Sequence, residues 1–164
     1  MSVENLKIKA AVIDEIKGKL DKAQSAVVID YIGTTVEQAN QMRKDLREAG
    51  VDYTVYKNTL MAKAVEGTKF EELKSVFNGP SALAISFDDA TAPARVLAKS
   101  IKDFGKMGFK AGVVEGTFYD AKGMEAIATI PSRDELIAKF MGSIQSPVGK
   151  MVRTFQAIAD AKAE

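Results

Sequence analysis

The stretch Ala26-Val-Val-Ile-Asp-Tyr-Ile-Gly-Thr-Thr-Val36 decides how the chain is read. Its opening run, Ala26 to Ile29, is short, apolar and mostly β-branched, which suits a buried strand ending near Asp30-Tyr31. Gly33-Thr34-Thr35 then breaks the chain. Thr34 with Glu37, or Thr35 with Gln38, has the spacing of a capping box, so a helix starts here. It runs to Ala49, and Gly50 supplies a C-terminal stop.

Upstream, Ile8, Val12, Ile16 and Leu20 recur every fourth residue and predict an amphipathic helix over 7–22. Downstream, Val51, Tyr53 and Val55 alternate with more polar neighbours, as in a half-buried strand. A helix follows from Lys57-Asn58-Thr59 through Val65, then a short acidic helix from Phe70 to Val76. Asn78-Gly79-Pro80 is a turn, Ser81 to Phe87 a third strand, and Asp88-Asp89 opens another turn. Ala92 to Phe104 reads as a helix and Phe109 to Phe118 as a fourth strand. Two strand–helix–strand units predict an α/β fold: a four-stranded sheet of the split βαβ, ferredoxin-like plait type, backed by helices.

After Ala121–Ala128 and the break at Ile130-Pro131 only helix follows, which divides the chain into a body, 1–130, and an appendage, 131–164. Ser132 and Glu135 have capping-box spacing at the start of the appendage. Leu136, Phe140, Ile144, Val148, Met151, Phe155 and Ile158 then fall at steps of three or four, on one helix face, with Val152 beside them. Pro147 interrupts the run with Ser146 as a cap, so two helices, or one kinked helix, share the stripe. Such a stripe either folds back onto the body or receives helices from partner chains.

Composition narrows the function. The 164 residues are 46% hydrophobic and 27% charged, as in ordinary globular proteins. Cys, His and Trp are all absent, which removes disulfides, the commonest general base and the usual zinc ligands. No secretory h-region opens the chain, and no apolar run has the length of a membrane span, so a cytosolic protein is expected. The net charge is +1, and basic against acidic residues number ten to ten, eight to eight and five to four in 1–66, 67–130 and 131–164. Any RNA contact must therefore come from a local patch.

The acid-free segment from Tyr53 to Val65 is one such patch. Lys57, Asn58 and Thr59 lie where a strand passes into a helix, with free backbone N–H groups beside a cation, and Lys63 follows one turn later. The plainer alternative is a helix cap by Asn58 or Thr59 with a solvated lysine. Arg43, seven residues after Val36 and three before Leu46, is placed near the inward margin of its helix, where it snorkels or holds a polar partner. Gly105-Lys106-Met107-Gly108 has the GXXG shape of KH loops, but it joins a helix to a strand and is read as a helix stop. No metal site or cofactor motif is present. An enzyme using lysine and carboxylates would need Asp30, Asp88 and Lys57 around one pocket.

Five motifs in order carry a resemblance. Asp30-Tyr-Ile-Gly-Thr-Thr-Val36, Met42-Arg-Lys-Asp-Leu-Arg47, Val55-Tyr-Lys-Asn-Thr-Leu60, Asn78-Gly-Pro80 and Ile130-Pro-Ser-Arg-Asp-Glu135 together resemble the bacterial family of large-subunit ribosomal protein ten, the stalk-base proteins. The resemblance spans essentially the whole chain. It implies an α/β domain that binds large-subunit rRNA in the GTPase-associated region, next to ribosomal protein eleven. It implies a tail that carries dimers of the acidic stalk protein seven/twelve, two by its length, and through them recruits translation factors. Binding to the leader of its own messenger is compatible with this role. On this reading Gly33, Arg43, Lys57, Asn58, Thr59 and Lys63 belong to the RNA face or its support. The family usually has a basic residue before the glycine of the Asp-Tyr-x-Gly motif, where this chain has Ile32, and Lys7 or Lys9 is expected to compensate.

Overall fold

The computed structural model describes residues 3–163, with side chains described at 7–147, 149–156 and 158. Two compact units are present, 1–130 and 131–164. The first begins with α1 (Val3–Lys22), β1 (Ser25–Asp30), α2 (Val36–Glu48) and β2 (Val51–Thr54). It continues with α3 (Asn58–Val65), a 3₁₀ helix (Glu71–Val76), β3 (Ala82–Ser86) and α4 (Ala92–Phe104). It ends with β4 (Gly108–Val114), β5 (Thr117–Asp120) and α5 (Ala121–Ala128), and the second unit is α6 (Arg133–Ala163).

The five strands form one antiparallel sheet in the order β2-β3-β1-β4-β5. The first four keep the split βαβ order: α2 links β1 to β2 across β3, and α4 links β3 to β4 across β1. The α/β class and the helical appendage stand as expected, but the sheet has five strands rather than four. The segment read as one strand, Phe109 to Phe118, is a hairpin that turns at Glu115-Gly116, both at positive φ.

Alternation along β1 explains the layering. Val27 and Ile29 pack with Met42 and Leu46 of α2, Leu97 of α4 and Met124 of α5. Ala26 and Val28 pack with Ile16 and Leu20 of α1, Met61 of α3 and Leu73 of the 3₁₀ helix. The sheet is thus covered by helices on both faces, because a strand that is apolar at successive positions offers water neither side.

Local chemistry sets the element ends. Of the two capping boxes the sequence allows, Thr35 with Gln38 forms: the Gln38 N–H donates to Thr35 Oγ1 at 3.3 Å and the Thr35 N–H to Gln38 Oε1 at 3.0 Å. Before α4, Asp89 Oδ1 accepts from the backbone and hydroxyl of Thr91, each at 3.0 Å, and Asp89 Oδ2 lies 3.4 Å from Arg95. Partial burial raises the Asp89 pKa, but the Thr91 hydrogen bonds and the Arg95 guanidinium outweigh it and hold the carboxyl below its ordinary 3.8. Gly112 of β4 faces α5 so closely that an added Cβ would sit 2.6 Å from Met124 Sδ and 3.3 Å from the Ala26 carbonyl.

Two outcomes are expected. Gly112→Ala should lower unfolding stability by about 1–3 kcal/mol, and its effect should be non-additive with Met124→Ala in a denaturant-based mutant cycle. Asp89→Asn should destabilise the fold at neutral pH, because the ionised carboxylate is the form the folded state favours. That penalty should fade as the pH falls below the ordinary carboxylate value of 3.8, where wild-type Asp89 becomes protonated in the folded state too.

Candidate nucleic-acid interface and partner-helix seam

One end of the sheet gathers most of the predicted RNA residues. Asp30 pairs with Gly108, Ile29 with Ala82 and Thr54 with Leu83, so β1 and β2 finish where β3 and β4 begin. The turns leaving this end carry Gly33, Lys57-Asn58-Thr59, Asn78-Gly79-Pro80 and Lys106.

The turns are tied together. Asn58 Nδ2 donates to the Gly79 carbonyl at 2.7 Å, so Asn58 holds the neighbouring turn and does not cap α3. Lys57 is the N-cap residue, exposed and without a side-chain cap bond, and Thr59 is exposed. From the other side, Lys110 Nζ donates to the Asn78 and Pro80 carbonyls, both at 2.6 Å, and to Ser81 Oγ at 3.0 Å. Lys110 reaches them because the register of β4 shifts between Val28 and Ile29, whose partners are Ala111 and Phe109. The bulge leaves Lys110 unpaired in the ladder and re-aims its side chain. Gly33 adopts φ +83° and would place a Cβ 3.6 Å from Lys106 Cδ, so the β1–α2 turn lies against the lysine that follows α4. Lys106 and Lys110 were not singled out from sequence, although the basic residue inside Gly105–Gly108 was a visible signal.

Lys7 and Lys9 are exposed on α1. Tyr56 OH donates to Glu15 Oε1 at 3.3 Å, which sets Glu15 level with the end of β2. At ~1.5 Å per residue, Lys9 and Lys7 then lie about 9–12 Å further along the helix, beyond this sheet end. Lys63 is exposed on α3, in the same layer. Lys19 anchors the layer: it pairs with Asp52 at 2.9 Å and Glu15 at 3.1 Å, and its hydrogen bond to Asp52 is the main reason its pKa is raised, against the opposing effect of burial.

Arg43 departs from expectation in its exposure. It is exposed rather than at an inward margin, because Val36, the residue that set the phase, is itself 77% exposed while Met42 and Leu46 are buried. It also belongs to α2, on the opposite face of the sheet from α1 and α3. There its guanidinium works against the burial and the Tyr31 phenol that raise the pKa of Tyr53. Asp30 and Asp88, required together for an enzyme, follow opposite ends of the sheet, since Ser25 pairs with Ser86 while Asp30 pairs with Gly108.

In the second unit, α6 runs through Pro147 as one helix of 31 residues, not as two. The Glu135 N–H donates to Ser132 Oγ at 3.3 Å, as the capping spacing predicts. Leu136, Phe140, Ile144, Met151, Val152, Phe155 and Ile158 are all exposed, Phe140 at 65%, Phe155 at 61% and Met151 at 60%. The side chain of Val148 lies outside the described residues. Ile137 and Met141, exposed beside Leu136 and Phe140, widen the stripe beyond the predicted set.

Comparison with known proteins supplies the family. Residues 4–102 match the family described as ribosomal protein L10, and 130–164 match the ribosomal protein uL10 C-terminal region. A large ribosomal subunit protein uL10 of Clostridioides difficile is 46% identical over 155 residues, covering 94% of this chain and 92% of its own. Those of Clostridium tetani and Bacillus cereus are 43% and 41% identical, covering 97% of this chain and 92% and 96% of theirs. With matches over both units and relatives aligned nearly end to end, the chain belongs to the ribosomal protein L10 (uL10) family, structural proteins of the large ribosomal subunit and not enzymes.

Proposed function

We propose that the chain is a two-ended adaptor: the body binds large-subunit rRNA in the GTPase-associated region, beside ribosomal protein eleven, and α6 carries dimers of the acidic stalk protein. The observation that carries this reading is the exposed apolar stripe of α6. A fully buried apolar side chain stabilises by about 1.5–3 kcal/mol, so covering this stripe with partner helices is strongly favourable. At about 1.5 Å per residue the helix is roughly 46 Å long, room for two dimers side by side. The dimers in turn recruit translation factors.

The body's part rests on the tied turns at one sheet end. Lys57 and Lys106 present cations there, and Asn58 and Lys110 hold Asn78–Ser81 in place. Pre-ordered turns bind phosphates without first losing conformational freedom. Lys7 and Lys9 extend the cationic surface along α1 and Lys63 along α3, while Gly33 lets the β1–α2 turn approach a nucleotide backbone closely.

Lys57→Ala should weaken binding to an rRNA fragment and lower the slope of log K against log salt by about one, the signature of one lost phosphate contact. An unchanged slope removes Lys57 from the RNA face. Met151→Asp with Phe155→Asp should abolish capture of stalk-protein dimers in pull-down and leave rRNA affinity unaltered. Dimer binding that survives both changes refutes the role given to α6.

A further inference from the structure

Arg43 and Arg47 stand four residues apart on α2, and among the described residues neither guanidinium has a hydrogen bond or an ion pair. Residues so spaced share a helix face, with Cβ atoms about 5–6 Å apart. Together they line a cavity of about 330 Å³ with Val51, Asp52, Tyr53 and Phe87. Successive strand residues point to opposite faces, so a cavity that touches positions 51, 52 and 53 runs along the border of β2. Among the described residues that border is free: β2 is the terminal strand and pairs with β3 alone. A terminal strand keeps unpaired N–H and C=O groups that another extended chain can complete.

We propose that the free border of β2 takes an extended acidic segment of a protein partner as a sixth strand, with two of its carboxylates bound by Arg43 and Arg47. Side chains two apart on one strand face are roughly 6.6 Å apart, close to the separation of the two arginines, so the fitting pattern is a carboxylate at every second position. Asp52 does not oppose the ligand, because Lys19 holds its carboxylate at 2.9 Å. The lining residue Phe87 packs on the sheet face opposite α2 and suits an apolar side chain between the acids. RNA fits less well here. It carries a charge at every nucleotide, whereas the cavity lining supplies two cations, Arg43 and Arg47, spaced for two carboxylates. The site also lies toward the sheet end opposite Lys57 and Lys106, since Val51 pairs with Ser86.

The test uses the full-length ¹⁵N-labelled chain and four probes. These are a peptide with a Val-Glu-Val-Glu-Val core, its lysine-for-glutamate counterpart, the glutamate peptide N-methylated at alternate amides, and a short oligouridine. The glutamate peptide should shift the amides of residues 51–54, and the lysine peptide should not. Its affinity should fall at least about tenfold in Arg43→Gln/Arg47→Gln, the loss expected for charge-assisted hydrogen bonds. N-methylation should weaken binding to the unaltered protein similarly, because it blocks the ladder. The proposal is overturned if 51–54 do not respond to the glutamate peptide, if either change leaves affinity intact, or if oligouridine shifts these amides more strongly than the peptide does.

Discussion

Strand β1 is buried at every position from Ser25 to Ile29 and has a neighbour on each side, so neither its faces nor its borders meet water. That constraint organises the body. A strand apolar on both faces needs a helical layer on each, and the chain supplies α1, α3 and the 3₁₀ helix on one side and α2, α4 and α5 on the other. Each layer is reached by a turn at an end of the sheet, so the two-sided burial of β1 is what collects the loops into two clusters. Burying Val27, Val28 and Ile29 contributes about 1.5–3 kcal/mol each, which helps offset the cost of ordering the exposed turns.

The two ends differ in character. Where β1 finishes, cations and tied carbonyls gather: Asn58 and Lys110 hold the Asn78–Ser81 turn, and Lys57 and Lys106 lie on other turns of the same sheet end. Where β1 begins, the neighbouring turns hold Asp88, Asp89 and Glu115. Cations answer these acids: Arg95 lies 3.4 Å from Asp89, and Lys69 lines one cavity with Glu115.

The helices and the first three strands were legible because each carries its own period or cap: Ile16 and Leu20 at helical spacing, the Thr35–Gln38 box, and the β-branched run before Asp30. What escaped depends on tertiary context. Glu115-Gly116 is a poor turn signal, since a glutamate at φ +51° is uncommon, and the β4–β5 hairpin was read as one strand. The Lys110 bulge leaves no mark in the sequence, yet it places Phe109 and Ala111, two residues apart, on opposite faces. Arg43 was misplaced because Val36 looks like a core residue and is not. Pro147 left two helices or one kinked helix open, and α6 runs through it as one. The stripe on α6 was visible apart from Ile137 and Met141, because helical spacing defines it. The shared location of Lys106 and Gly33 was not, because only the sheet brings them together.

The central claim is that one chain holds nucleic acid and helical protein partners at the same time through separate units. Native mass spectrometry of the full chain mixed with the GTPase-associated rRNA fragment and the acidic stalk protein addresses this directly. The account predicts a species containing one chain, one RNA and two stalk dimers. Spectra in which RNA and dimers exclude each other, or in which no dimer joins the chain, would contradict it.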